Sequence, residues 1–233
     1  MMEDPRVLAA TSRALGHLEL RQQVSAHNLA NASTPGFRGD RVFARLMADG
    51  GGPDSRQARD ETRGAVNSTG RPLDLVLDGP GHLVVRSPEG ERLSRAGALS
   101  IDSAGYLVDA GGRPVLGTRG PILLPPGEPR ITQDGEIHVD GGLIERLRVE
   151  VPGEGEPLAR DAGGLLVVPE GRDTVASQDT RLRQGFLEDS NVNPIQAMTE
   201  MIDIQRSFAT LQRSVHVLDG ILERVANDLG RLR

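Results

Sequence analysis

Apolar residues recur in alternating steps of three and four along the C-terminal end: Met201, Ile204, Phe208, Leu211, Val215, Leu218, Leu222, Val225 and Leu229. No polar residue interrupts the series, which predicts one long helix with a coiled-coil seam sustained for about four heptads. Asn193 stands where an N-cap belongs, Pro194 at the first helical position, and Gln196 where a capping box places its amide. With Met201 at position a, the e positions are Gln205, Gln212, Asp219 and Ala226, and the g positions include Ser207, Ser214 and Ile221. The charge pairs that commonly select a two-stranded partner are therefore mostly missing. Ile202, Ala209, Val217 and Ile221 add apolar or small surface outside the seam, so this helix expects more than one neighbour.

The N-terminal end carries a weaker version of the same pattern. Asp4 suits an N-cap and Pro5 the first turn, where a missing N–H costs nothing. Leu8, Thr11, Leu15, Leu18, Gln22, Ser25 and Leu29 then form a seam that is polar at Gln22 and Ser25. It stops in "HNLANASTPGFR", residues 27 to 38. Thr34 precedes a proline and is pushed toward an extended conformation, and Pro35-Gly36 suits the centre of a type II turn. An ordinary helix end, with Phe37 in a local core, accounts for this stretch as readily as an assembly contact does. The two end helices packing on each other in a two-layer domain stands beside a seam between molecules.

Between the ends the period changes to two. "LRVEV", residues 147 to 151, alternates apolar and charged positions as a half-buried strand does. "HLVVRS", "ALSI", "YLVD", "RITQ" and "EIHV" are further short strands bounded by turn residues, with Asp134-Gly135 a local hairpin signal. Residues 48 to 64 contain almost no apolar side chain and read as an exposed linker. No convincing internal repeat is seen. The expected fold class is α+β, with N- and C-terminal helices paired as a coiled-coil-like arm and a central, mostly antiparallel β domain. The expected divisions are an N-terminal helix over 1–35, a turn and flexible linker over 36–65, the β domain over 66–185 and a C-terminal coiled-coil helix over 186–233.

Composition narrows the function classes. A length of 233 residues with 37% hydrophobic content is enough for a buried core. A net charge of −6 argues against a nucleic-acid surface, which needs clustered cations, and a single Tyr with no Trp leaves little for base stacking. No run approaches the length of a bilayer span, so no direct membrane insertion is expected, and "MMEDPRVLAA" is unlike a secretory signal. With no cysteine, disulfides and thiolate ligands are excluded.

Candidate chemistry is sparse. The five histidines are scattered without helical metal-ligand spacing, and no nucleophile elbow, phosphate loop or dinucleotide fingerprint occurs. Asp102-Ser103-Ala104-Gly105 and Asp134-Gly135 superficially suggest calcium loops, but neither continues with the alternating oxygen ligands such a loop requires. They read as turns. The expectation is no enzyme, no metal and no cofactor.

Four segments in chain order resemble one family: "HNLANASTPGFR", "TGRPLDLVLDG" at 69 to 79, "LSRAGALSIDSAGYLV" at 93 to 108, and "QGFLEDSNVNPIQAMTEMIDIQRSFATLQRSVHVLDGIL" at 184 to 222. Together they are similar to the axial proteins of the bacterial flagellar rod and hook, and the short chain resembles the proximal rod members more than the longer ones. The resemblance implies paired terminal helices forming an inner layer, a β domain outside, and helical stacking into a torque-transmitting shaft. It implies export by the flagellar type III apparatus without a cleaved signal, a location in the basal body across the periplasm, and partners among copies of itself and other rod or hook subunits. It places the assembly interface at Leu15, Leu18, Asn28, Leu29, Asn31, Pro35, Gly36, Phe37, Asn191, Asn193, Met201, Ile204, Phe208, Leu211, Val215, Leu218, Leu222 and Val225. The alternative is a secreted or periplasmic β-domain binding module with a helical dimerisation stalk.

Overall fold

The computed structural model describes residues 5–46, 53–153, 158–161, 164–171 and 173–231. The class is α+β: one helix near each end and short, antiparallel strands between them. The first helix, α1, spans Pro5–Ala30 and the second, α2, spans Pro194–Arg231. The N-cap expected of Asp4 lies outside the described residues.

The chain divides into two compact units. The first combines residues 1–30, 40–60 and 193–233; the second combines 31–39 and 61–192. In the first, the helices are joined by an antiparallel hairpin of β1 (Asp40–Leu46) and β2 (Pro53–Arg59), paired from Asp40 opposite Arg59 to Leu46 opposite Pro53. This corrects the linker expected over 36–65. "PDSRQAR" carries no apolar alternation, so its strand state comes from pairing with β1 rather than from propensity. Residues 36–39 and 61–65 are also built into the second unit rather than hanging free. Phe37 is buried, and the Asp189 N–H donates to the Ala65 carbonyl at 2.8 Å.

The second unit wraps short strands around a larger apolar cluster that includes Leu75, Leu83, Val85, Leu107, Ile137 and Leu147, and a smaller one of Val84, Leu93, Leu116, Leu158 and Leu166. Its largest sheet has four strands in the spatial order Thr174–Ala176, Val149–Pro152, His82–Ser87, Gly90–Ser94. The strand Leu75–Asp78 buries Leu75, Val76 and Leu77 in succession, because both of its faces are covered.

Among the described residues of this unit one loop geometry recurs, closed between Asp102 and Tyr106, Asp109 and Arg113, Thr132 and Glu136, and Asp161 and Leu165. In each the first residue's N–H donates to the fifth residue's carbonyl, and its own carbonyl accepts the N–H of the fourth. The first residue's side-chain oxygen, from Asp102, Asp109, Thr132 or Asp161, accepts the fifth residue's N–H. The fourth residue is always glycine at positive φ, from 73° at Gly112 to 89° at Gly105, where a side chain would be strained. The Asp102 and Asp134 segments are thus turns, as their composition suggested. A repeat of local geometry exists where no repeat of length or wording announced one.

Candidate assembly surface

α2 starts where its capping residues place it. The Asn193 Oδ1 accepts the N–H groups of Ile195 and Gln196 at 3.0 and 3.2 Å, and its carbonyl accepts that of Ala197 at 3.0 Å. Ala197 and Ile204 are buried, while Met201, Phe208, Leu211 and Val215 are half-buried. The intervening positions are exposed, so the apolar stripe read from spacing is the face that is covered. The side chains of Leu218, Leu222 and Val225 lie outside the described residues, although the helix backbone continues through them.

The cover comes from α1. Ser25 Oγ donates to the Ala197 carbonyl at 3.2 Å, and the Arg21 guanidinium pairs with Glu200 at 2.8 Å. The α1 contacts descend as the α2 contacts ascend, so the helices run antiparallel. The polar interruption at Ser25 therefore has a structural use: a small hydroxyl opposite Ala197 permits close approach and donates to a carbonyl of the facing helix. Leu15, Leu18 and Leu29 are half-buried on α1, and Val24 is buried.

Asn28 and Asn31 are employed within the subunit. The Asn28 amide donates to the Asp40 carbonyl at 2.8 Å and accepts the Asp40 N–H at 2.9 Å, acting as a one-residue strand partner at the start of β1. The Asn31 carbonyl accepts the Thr34 N–H, and its side chain accepts the Thr34 hydroxyl. The hairpin meets α1 again where His17 Nδ1 lies 2.8 Å from Ser55 Oγ. Burial, and then the nearby Arg21, hold His17 below the ordinary imidazole range.

In the second unit, Pro35-Gly36 forms the expected turn. The Phe37 N–H donates to the Thr34 carbonyl at 3.2 Å with Gly36 at a φ of 69°. A Cβ on Gly36 would sit 2.5 Å from the Arg95 carbonyl oxygen, so only glycine fits. The Gly36 N–H donates to the Glu188 carbonyl at 2.7 Å, the Gly39 N–H to Asn191 Oδ1 at 2.7 Å, and the Asn191 N–H to the Phe37 carbonyl at 3.2 Å. Asn191 Nδ2 also donates to the Thr62 carbonyl at 2.9 Å. One amide thus ties together three passes of the chain.

Sequence reasoning missed the charges beneath this turn. Glu188, with 4% of its side chain exposed, lies 3.6 Å from both Arg38 and Arg95. Arg95 donates to the carbonyls of Gly81 and Leu77 at 2.6 and 2.9 Å, and burial above all, with Arg38 nearby, pushes its guanidinium down to about 10. Arg160 stacks 4.5 Å from the centre of the Phe37 ring. These partners are far apart in sequence, so no spacing rule pairs them.

Among the described residues these polar groups are engaged with one another rather than aimed at a common point. Of the surface depressions in the second unit, the one bounded by Arg148, Ser177, Thr180 and Arg181 is lined by groups already engaged. Arg148 pairs with Glu91 and Glu150, and Arg181 with Asp134.

The C-terminal segment that carries the cap and seam, residues 183–229, matches the model of the flagellar basal body rod FlgEFG protein C-terminal region. Residues 76–142 match the flagellar hook protein FlgE/F/G D1 domain. The chain is 34% identical to the flagellar basal-body rod protein FlgF of Salmonella typhimurium, over 85% of this chain and 88% of that protein. It is 31% identical to the FlgF of Mesorhizobium japonicum, over 89% of this chain and 90% of the relative. The chain belongs to the flagellar basal-body rod protein family. The family extends to more distant members such as the rod protein FlgG of Bacillus subtilis, 27% identical over 95% of this chain. In this rod-family chain the D1 match lies within the second unit, whereas the C-terminal match begins in the last strands of the second unit and continues through α2 of the first.

Proposed function

We propose that this chain is a structural subunit of the bacterial flagellar basal-body rod, polymerising helically through its terminal helices into the shaft that transmits torque. It works by assembly rather than by turnover. Its partners are copies of itself and other rod or hook subunits, and it reaches the basal body across the periplasm through the flagellar type III export apparatus without a cleaved signal. The terminal helices act as a coiled-coil-like arm, and the seam residues of both helices are the contact set that assembly uses.

One observation carries this reading. Arg21 is level with Glu200 in the antiparallel pair, so the first residue of α1, Pro5, is level with about residue 216. α2 runs on to Arg231, about 22 Å further at 1.5 Å per residue. The apolar spacing of Leu218, Leu222 and Val225 falls on this overhang. A heptad stripe that outruns its own partner helix is built for another chain's helix. Leu211→Asp and Leu218→Asp should abolish motility and rod completion while the second unit keeps its native melting. Normal motility in both variants would refute the proposal.

A further inference from the structure

α2 has a second exposed face. Ile195, Met198 and Ile202 are 75%, 52% and 49% exposed, and they lie roughly 135° round the helix from the seam at 100° per residue. The same stripe continues through Arg206 and Ala209, both exposed. On α1 the face turned away from the seam carries Ser12, Gly16, Glu19, Gln23, Ala26 and Ala30, all exposed. Neither Glu19 nor Arg206 takes part in an ion pair among the described residues.

The two stripes match in spacing. From Ile195 to Arg206 is the same number of residues as from Ala30 back to Glu19, and Arg206 to Ala209 matches Glu19 back to Gly16. Set antiparallel, the bulky Ile195 falls opposite Ala30 and Met198 opposite His27, beside the small Ala26, while Arg206 meets Glu19 and Ala209 meets Gly16. This register is shifted by about one helical turn, ~5 Å, from that of the pair inside the subunit. A Cβ at Gly16 would find nothing within 4 Å, so the groove there is open.

We infer that a second copy of this chain docks its α1 outer face, through Glu19 and the small residues beside it, on the Ile195–Met198–Ile202–Arg206 ridge of the first. The occupant follows from charge and size: a cation with apolar bulk on one face, an anion with small residues on the other. Because the two faces differ, the contact is head-to-tail and repeats, rather than closing as a symmetric dimer. The inference rests on the rod reading and names the lateral contact within it.

The test uses the full chain in its own bacterium. Glu19→Arg and Arg206→Glu should each place like charges together and lose motility and intact rods, and combining them should restore both. The chain has no cysteine, so Gly16→Cys with Ala209→Cys introduces the only two thiols. Oxidation of isolated rods should then yield a ladder of covalent multimers. Full motility of the single charge reversals, or complete rods that oxidise to monomers alone, would overturn this interface. If Leu211→Asp still abolished rods in the same strain, the rod reading would survive that failure.

Discussion

At the scale of single residues, the polar side chains expected at the assembly surface also hold bonds within the subunit. Asn28 completes β1, Asn193 caps α2, and Asn191 fastens the Pro35-Gly36 turn to the strand end beside it. Below that turn, Glu188 is the anion between two largely buried guanidiniums, whose side chains are 11% and 5% exposed at Arg38 and Arg95. Removing it leaves Arg95 with little solvent and no ion-pair partner among the described residues, and Arg38 with the exposed Glu61 alone. Glu188→Ala should cost about 3–5 kcal/mol. By contrast, the Arg181–Asp134 pair, 58% exposed on each side, should cost under about 1 kcal/mol when broken. Urea unfolding of the two variants separates these cases; equal midpoints would show that the Glu188 cluster is not a structural anchor.

At the scale of elements, legibility follows the strength of the local pattern. The seam from Met201 to Val215 was readable because a helix must bury one stripe, and spacing alone locates it. The loops at Asp102 and Asp134 were readable because turn residues carry their own hydrogen-bond chemistry. β2 was not, because Asp54, Arg56 and Gln57 are polar and exposed, and only the opposite strand makes them extended. The hairpin's attachment to α1 is pH-sensitive through His17. Its folded pKa lies below the unfolded value, so the fold holds the ring neutral and its contribution is complete above about pH 6.5. That contribution is lost as the pH falls through the lower, folded value. Melting of the first unit should therefore weaken on acidification, and His17→Gln should flatten the dependence. An imidazole titrating above the ordinary range by NMR would contradict this.

At the scale of the whole molecule, the second unit has an apolar core of its own, whereas among the described residues α1, α2 and the hairpin bury few large side chains. Hydrogen exchange on dilute protein should show strong protection at 83–85 and 137–139, with faster exchange in α1 and along α2 beyond Val215. Uniform protection throughout, unchanged by dilution, would mean that a single chain completes its own helical layer. The division also affects the order of events. The strand-rich unit lies almost wholly within one stretch of chain, while the helical unit needs residues from both extremities and an insert between them. For a polypeptide delivered one end first, the helical pairing cannot close until the final segment arrives. If the chain is exported and assembles as proposed, its polymerising part is the last to become competent, which delays premature association during passage.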